Sequence, residues 1–459
     1  MAAIARQSKS TTREKWAWYM YDFGNSGYAA VVLLAVFAAY FKETVVGGAE
    51  GSRLWGIAVG IAMLTVAIIS PILGTIADYS GSKKRLLFFF TLLCVVFCGL
   101  LFFVQAGDII MAMVFFILAE IGYRSAQVFY NALLPEIADQ DEMGMVSGNG
   151  WAIGSLGGII CLVIVLAAIM FVGDKPIGGV VIPTALIVRI SLVFTSVYYI
   201  VSALPIFLSL KERARQRALP AGENYLSLAF KRLGETFRAV RSYREFIKFM
   251  IAYLVYNDGI LMVMDFAAIL GAVLFGMETQ EMIIFMIIVQ VTSVAGAFLF
   301  GWITQRVGSK KSLVVSLVLM VVPVVWLLFS YLKVEFYIIG AVAGFALTGV
   351  QSVSRTAVGM FSPEDKSAEF YGFEAVAGRT SSFIGPTIFG ILAAAATGWY
   401  ERGAGLSRLW TFANQTAEQS GHRLALFSIV VFLLVGLILL LLVNEKKARA
   451  AARGEVDTD

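Results

Sequence analysis

The chain is 459 residues long, 59% hydrophobic and only 15% charged, with a formal net charge of +5 and a mean hydropathy of +0.82. Those values lie outside the range of water-soluble globular proteins, so the main solvent of this fold is lipid and no nucleic-acid partner is expected. Three cysteines and a single histidine supply neither a disulfide framework nor a histidine-based metal site.

The first fifteen residues are polar and basic (Arg6, Lys9, Arg13, Lys15). The apolar run after them is too long for a signal-peptide core and lacks a small-residue cleavage site, so it reads as an uncleaved first helix. From there apolar stretches of about 20 residues, enough to cross a hydrocarbon core of roughly 30 Å, recur at 16–41, 54–77, 86–104, 109–134, 145–172, 185–209, 246–274, 281–304, 312–332, 335–360, 369–397 and 422–443. None alternates with the period of a barrel strand, and backbone groups in lipid must pair internally, so all twelve are predicted helices. Lys and Arg concentrate at both ends and in the 2–3, 4–5, 6–7, 8–9 and 10–11 connections, which predicts cytoplasmic termini.

An ionisable side chain inside a membrane helix is costly and is a functional candidate by default. Span 1 carries Asp22 and Asn25. Span 2 ends in the loop 74–85, GTIADYSGSKKR, with Gly74, Asp78, Gly81, Lys83 and Arg85. Span 3 holds Cys94 and Cys98 one turn apart, and span 5 holds Cys161; all three read as small core residues. On span 4, Glu120, Arg124, Gln127 and Asn131 follow spacings of four, three and four and form one polar stripe. That stripe reads either as a structural Glu120–Arg124 pair or as a surface where Arg124 meets a substrate carboxylate, and Asp22 is a second possible partner of Arg124. Glycines crowd spans 5 and 11, where they permit close helix crossings; no phosphate-binding loop is present.

The longest connection, 211–245, is basic, and Leu226, Phe230, Leu233, Phe237 and Val240 give its second part the apolar face of a helix lying on an anionic leaflet. Span 7 carries Asn257, Asp258 and Asp265, the two aspartates seven residues apart and expected on one face. Span 10 carries Gln351 and Arg355, the expected counter-charge of either aspartate, and span 11 carries Glu374 and Arg379. His422 only opens span 12.

The chain repeats itself. Residues 301–312, GWITQRVGSKKS, echo 74–85 with Gly301, Gly308, Lys310 and Lys311 at one constant offset, and Pro363-Glu364 echoes Pro135-Glu136. Six helices separate the copies, an even number, so the halves are parallel repeats. The predicted organisation is a cytoplasmic N-terminus (1–15), a six-helix bundle (16–210), the basic linker (211–245), a second six-helix bundle (246–443) and a cytoplasmic tail (444–459).

The 74–85 segment resembles the signature loop of the major facilitator superfamily, Gly-x-x-x-Asp-x-x-Gly-Arg-Lys/Arg, with Ser82 where that family has its first basic residue. Residues 16–28, WAWYMYDFGNSGY, resemble the opening of the vacuole-effluxer-like (autophagy-related amino-acid exporter) branch through Tyr21, Asp22, Asn25, Ser26 and Tyr28. The resemblance implies an all-α membrane protein with twelve transmembrane helices in two parallel six-helix repeats, the major facilitator fold. It implies a central cavity lined by helices 1, 4, 7 and 10, and a cytoplasmic gate in which Asp78 and the basic residues after it tie helix 2 to helix 11. Gln305-Arg306 in the second copy offers no acid, so an equally strong latch is not expected there.

The expected function is secondary transport of a small solute by rocker-switch alternating access, an amino-acid exporter with protons as the coupling ion. A lipid or lysolipid transporter of the same fold, or a non-transporting receptor or scaffold, stays open. No nucleophile–base pair or metal constellation suggests an enzyme. No cofactor and no metal are expected, and the partners are the small-molecule substrate, protons and the lipid bilayer, around a monomer in a bacterial plasma (inner) membrane.

Overall fold

A computed structural model of the chain describes residues 10–46, 48–139, 141–177, 180–213, 231, 243–277, 279–402 and 416–455. The long helices among them are α1 (Thr12–Tyr28), α2 (Gly48–Ser80), α3 (Lys83–Leu100), α4 (Ile109–Ala132), α5 (Met143–Val172), α6 (Thr184–Ser209), α7 (Arg244–Phe275), α8 (Thr279–Val307), α9 (Ser309–Phe329), α10 (Lys333–Phe361), α11 (Ser367–Glu401) and α12 (Ala417–Leu441). A short α13 (Glu445–Ala452) follows. Eleven of these segments are long and apolar enough to cross a bilayer, and α11 runs 35 residues. The one sheet among the described residues is a two-stranded antiparallel hairpin, Pro176–Ile177 with Val180–Val181, between α5 and α6. The amphipathic part of the 211–245 linker lies outside the described residues, apart from Lys231.

Several helices begin or end a turn beyond their apolar run, because their ends are set by caps rather than by hydropathy. α1 starts at Thr12, ahead of the predicted 16, since Thr11 and Glu14 form a reciprocal capping box. Beyond Tyr28 its chain continues through π-helical turns at Ala29–Ala35 and Phe41–Val46, a local widening that occurs often at functional positions. α2 ends because Gly81 adopts φ 57° and the Ser82 N–H turns back to the Ala77 carbonyl, the C-terminal closure that favours glycine.

Packing divides the chain into two compact units. One is Met1–Thr236 with Pro363–Ala375, and the other is Phe237–Ser362 with Val376–Asp459, so the division falls inside α11. In the first unit α1 packs on α5 and α6, α2 on α4, and α3 on α4 and α6. In the second, α7 packs on α12, α8 on α10, and α9 on α10 and α12. Apart from the α5 contact, each pairing recurs six helices later, which is what a duplicated half requires.

The ends of each six-helix run are pinned in the same way. Glu14 at the start of α1 accepts the Lys211 N–H just after α6 at 3.0 Å, and Glu245 at the start of α7 accepts the Asn444 N–H just after α12 at 2.6 Å. The next residue in each case is a glutamate that caps the third helix of its run. Glu212 accepts the Lys83 N–H at 2.5 Å; Glu445 accepts the Ser309 and Lys310 N–H groups at 3.1 and 3.2 Å. Both capped ends would otherwise leave orphan donors.

Candidate functional site

Asp78 lies one turn after Gly74 on α2, and Gly74 lets the α2 backbone touch α11: a Cβ there would fall 2.3 Å from the Ala368 carbonyl oxygen. That approach brings the Asp78 carboxylate onto the first turn of α11. Its oxygens accept the Ala368 N–H at 3.1 Å and the Glu369 N–H at 2.8 Å, donors that the helix cannot satisfy itself and whose dipole favours an anion.

The cation beside it is Lys83, fully buried. Its ammonium reaches Asp78 at 3.1 Å, Glu136 at 2.9 Å and the Ser367 hydroxyl at 2.6 Å, so all three of its donors are used. Ser367 donates onward to the Ala132 carbonyl at 3.0 Å. The second Glu136 oxygen accepts the Arg213 N–H at 2.8 Å. One buried lysine thus joins α2, the end of α4 and the start of α11, while its own backbone is capped by Glu212. Burial and the neighbouring Glu136 push the Glu212 carboxyl up to about 7.

Of the five residues predicted in this loop, Gly74, Asp78, Gly81 and Lys83 build the cluster or its turn. Arg85 is exposed and stands outside it. Glu136, Ser367 and Glu212 complete it and were not singled out from sequence; the only signal was the Pro135-Glu136 echo, because nothing local marks a side chain whose partner is over fifty residues away.

The polar stripe on α4 forms as the spacing predicts. Glu120 is fully buried, and Arg124 Nε reaches its Oε1 at 2.6 Å while keeping 23% of its own side chain exposed. Tyr28 of α1 donates to the other Glu120 oxygen at 3.4 Å, the Arg124 guanidinium lies 5.1 Å from the Tyr123 ring centre, and Gln127 donates to the Tyr123 hydroxyl at 3.0 Å. Gln127 and Asn131 are half-buried. Asp22 lies at the α1–α5 crossing, where a Cβ on Gly154 would come within 3.0 Å of its carboxyl carbon; the partner of Arg124 is Glu120 instead. Asn25 is buried, and neither atom of its amide has a hydrogen-bond partner among the described residues.

In the second unit Asn257, Asp258 and Arg355 are buried, Gln351 is half-buried and Asp265 is exposed. The seven-residue spacing of the two aspartates does not give them one environment, since α11 covers the chain at Asp258. There the Asp258 Oδ1 accepts the Gly385 N–H at 2.9 Å, rather than an ion pair from Arg355. Glu374 is half-buried and belongs to the first unit; the Arg379 side chain lies outside the described residues.

Residues 55–398 match the family model "Vacuole effluxer Atg22 like". An uncharacterized MFS-type transporter of Bacillus subtilis, YxiO, is 26% identical over 455 residues, 98% of this chain and 99% of that protein. Autophagy-related protein 22-1 of Aspergillus niger is 25% identical over 268 residues, covering 54% of this chain and 42% of its own length. Among solved structures, the major facilitator superfamily transporter FucP in its outward conformation superposes with a TM-score of 0.61 over 92% of this chain and 97% of that one, at 15% identity.

Proposed function

Since the chain belongs to the Atg22-like vacuole effluxer family and has the major facilitator fold, we propose that it exports a small zwitterionic solute of the amino-acid class by alternating access. The observation that carries this reading is the asymmetry of the Glu120–Arg124 pair. The acid is withdrawn from any solvent, whereas the guanidinium keeps a face open, and a planar fork of donors is the group suited to a carboxylate. The other half-buried polar groups of the stripe, Gln127 and Asn131, add neutral hydrogen-bonding capacity along the same face.

The Asp78–Lys83–Glu136–Ser367 cluster acts as the gate in this reading. It holds the first turn of α11 against α2 through charges that water would release, and both chain ends and the cluster lie on the cytoplasmic side of a plasma membrane. Asp78→Asn lowers flux several-fold without loss of expression, because it removes the anion at the α11 N-terminus.

The test is exchange of radiolabelled amino acids by full-length protein in proteoliposomes, with binding read by substrate-dependent thermal stabilisation. Arg124→Ala lowers affinity by roughly tenfold or more, the effect of losing a charge-assisted hydrogen bond of about 1.5–3 kcal/mol. Glu120→Gln keeps binding and alters its pH dependence. Unchanged affinity in Arg124→Ala, with both variants only less stable, sinks the substrate-site reading.

A further inference from the structure

The Asp258 carboxyl group stands apart from the ion-paired acids Asp78, Glu136 and Glu120. It is fully buried near the middle of α7, its Oδ1 holds the Gly385 N–H at 2.9 Å, and among the described residues no donor reaches its Oδ2. Helix α11 is chemically interrupted at this crossing, for Pro386 follows Gly385 and has no N–H to offer the carbonyl of residue 382 one turn earlier.

The first unit supplies an internal comparison. Tyr21-Asp22-Phe23-Gly24 on α1 and Tyr256-Asn257-Asp258-Gly259 on α7 align through their tyrosine and glycine. A Cβ on Gly157 of α5 would fall 2.2 Å from the Phe23 carbonyl oxygen, and a Cβ on Gly385 of α11 would fall 2.8 Å from that of Asp258. Gly24 meets α6 and Gly259 meets α12 in the same fashion. The crossing therefore forms with a phenylalanine at the equivalent position, and packing does not require a carboxyl group there.

We infer that Asp258 is the proton-binding site of the transporter, holding its proton on Oδ2 while Oδ1 is fixed to the backbone of α11. The inference deepens the transport reading above and rests on it. An unpaired carboxylate buried in a bilayer carries the full desolvation cost of its charge, whereas the neutral acid loses at most one hydrogen bond. Binding forms a single O–H bond with a proton taken from water when the crossing opens, and release returns it to water. A metal or sodium ion fits less well, since such ions need several oxygens at once. Here one oxygen already faces an N–H, and no group of three His, Cys, Asp or Glu side chains lies together among the described residues.

The charged and titratable groups on the packed elements are few. α12 meets α7 at this level through Leu433 and Gly436, and its Arg423 is held by the carbonyls of Leu327, Leu328 and Ser330, with His422 beside it. α10 contributes Arg355, next to the Ser354 hydroxyl that pairs with Tyr256. α11 carries Glu374 and Arg379. α13 brings Glu445, Lys446, Lys447 and Arg449 to the far end of α7, and α7 itself has Glu245, Lys248, Tyr253 and Asp265. Arg355 is the cation whose field would tune the site.

The test is infrared difference spectroscopy of the purified full chain in phosphatidylethanolamine–phosphatidylglycerol vesicles, titrated without solute from mildly acid to mildly alkaline pH in sodium-free buffer. Every chain tested carries Glu212→Gln, which removes the other carboxyl that titrates in this range, and with Asp258 intact it should show a protonated-carboxyl C=O band that titrates. Asp258→Asn, which keeps an acceptor for the Gly385 N–H, should lose that band at unchanged melting temperature, and Asp265→Asn should retain it. Should Asp258→Asn not fold, Asp258→Glu must displace the band in frequency. The same titrating band in Asp258→Asn, an undisplaced one in Asp258→Glu, or a sodium-specific stabilisation lost in Asp258→Asn overturns the inference. No solute enters this measurement, so absent flux would defeat the transport reading while leaving the titration intact.

Discussion

Lys83 is a buried cation between two buried carboxylates, and its removal should cost far more than that of any surface lysine. Lys83→Met leaves Asp78 and Glu136 without their counter-charge and should destabilise the protein by roughly 3–5 kcal/mol. In thermal unfolding of purified protein, Asp78→Asn introduced on top of Lys83→Met should recover part of that loss, a coupling of roughly 0.5–3 kcal/mol; strictly additive losses would mean the pair is not coupled. Glu212 gives a pH dependence of opposite sense to that of an ordinary paired acid. Its carboxyl, pushed up from 4.5 to about 7, binds a proton more tightly in the folded chain than in the unfolded one. The stabilisation is therefore complete below pH 4.5 and is lost as pH rises through about 7. Glu212→Gln should match the wild type at acid pH and melt higher than it at alkaline pH, and a parallel pair of profiles would refute the assignment. Of these residues Asp78 and Lys83 were legible in the sequence, Asp78 because its loop resembles the superfamily signature and Lys83 because it recurs as Lys310 in the second copy. Glu212 was not: it lies at the edge of a basic linker, where a glutamate reads as solvated.

At the scale of the element, glycine acts at particular crossings. Gly74 and Gly60 both lie on α2, yet a Cβ at Gly74 meets the α11 backbone and one at Gly60 meets nothing within 4 Å. Gly74→Ala should force the helices apart, break the Asp78 hydrogen bonds to α11 and lower the melting temperature clearly, whereas Gly60→Ala should be neutral or stabilising by up to about 1 kcal/mol. Equal effects of the two would show that the approach is not tight. The spans were readable because lipid demands long apolar runs. The helix ends were not, since Thr11, Gly81 and Glu445 act through individual hydrogen bonds that hydropathy ignores. Arg423, fully buried on α12, was likewise passed over. Its guanidinium caps the end of α9 by donating to the Leu327, Leu328 and Ser330 carbonyls, a role with no signature in the sequence around it.

Over the whole molecule, the distribution of Lys and Arg predicts cytoplasmic termini. Single cysteines in place of Ala218 and Ala450 should react with a membrane-impermeant maleimide only from the cytoplasmic side, and one in place of Ala404 only from outside. Cys94, Cys98 and Cys161 are buried and should give little background; the reverse pattern would invert the topology. Duplication was visible in one loop and one Pro-Glu pair. The recurring helix pairings and the paired glutamate staples were not, because hydropathy does not report which helices pack together and the staples join positions 129 to 199 residues apart.

Those staples bear on the order in which the chain is completed during synthesis. Glu14, Lys83, Glu136, Lys211, Glu212 and Arg213 bond to one another, so the first six helices can close on themselves as soon as residue 213 has left the ribosome. Ser367, Ala368 and Glu369 arrive more than 150 residues later, about ten seconds or more at ordinary elongation rates. Throughout that interval Asp78 lacks its two backbone donors and Lys83 its hydroxyl. The nascent first half is a finished bundle with one unsatisfied charged socket, and the arrival of α11 is the event that fills it.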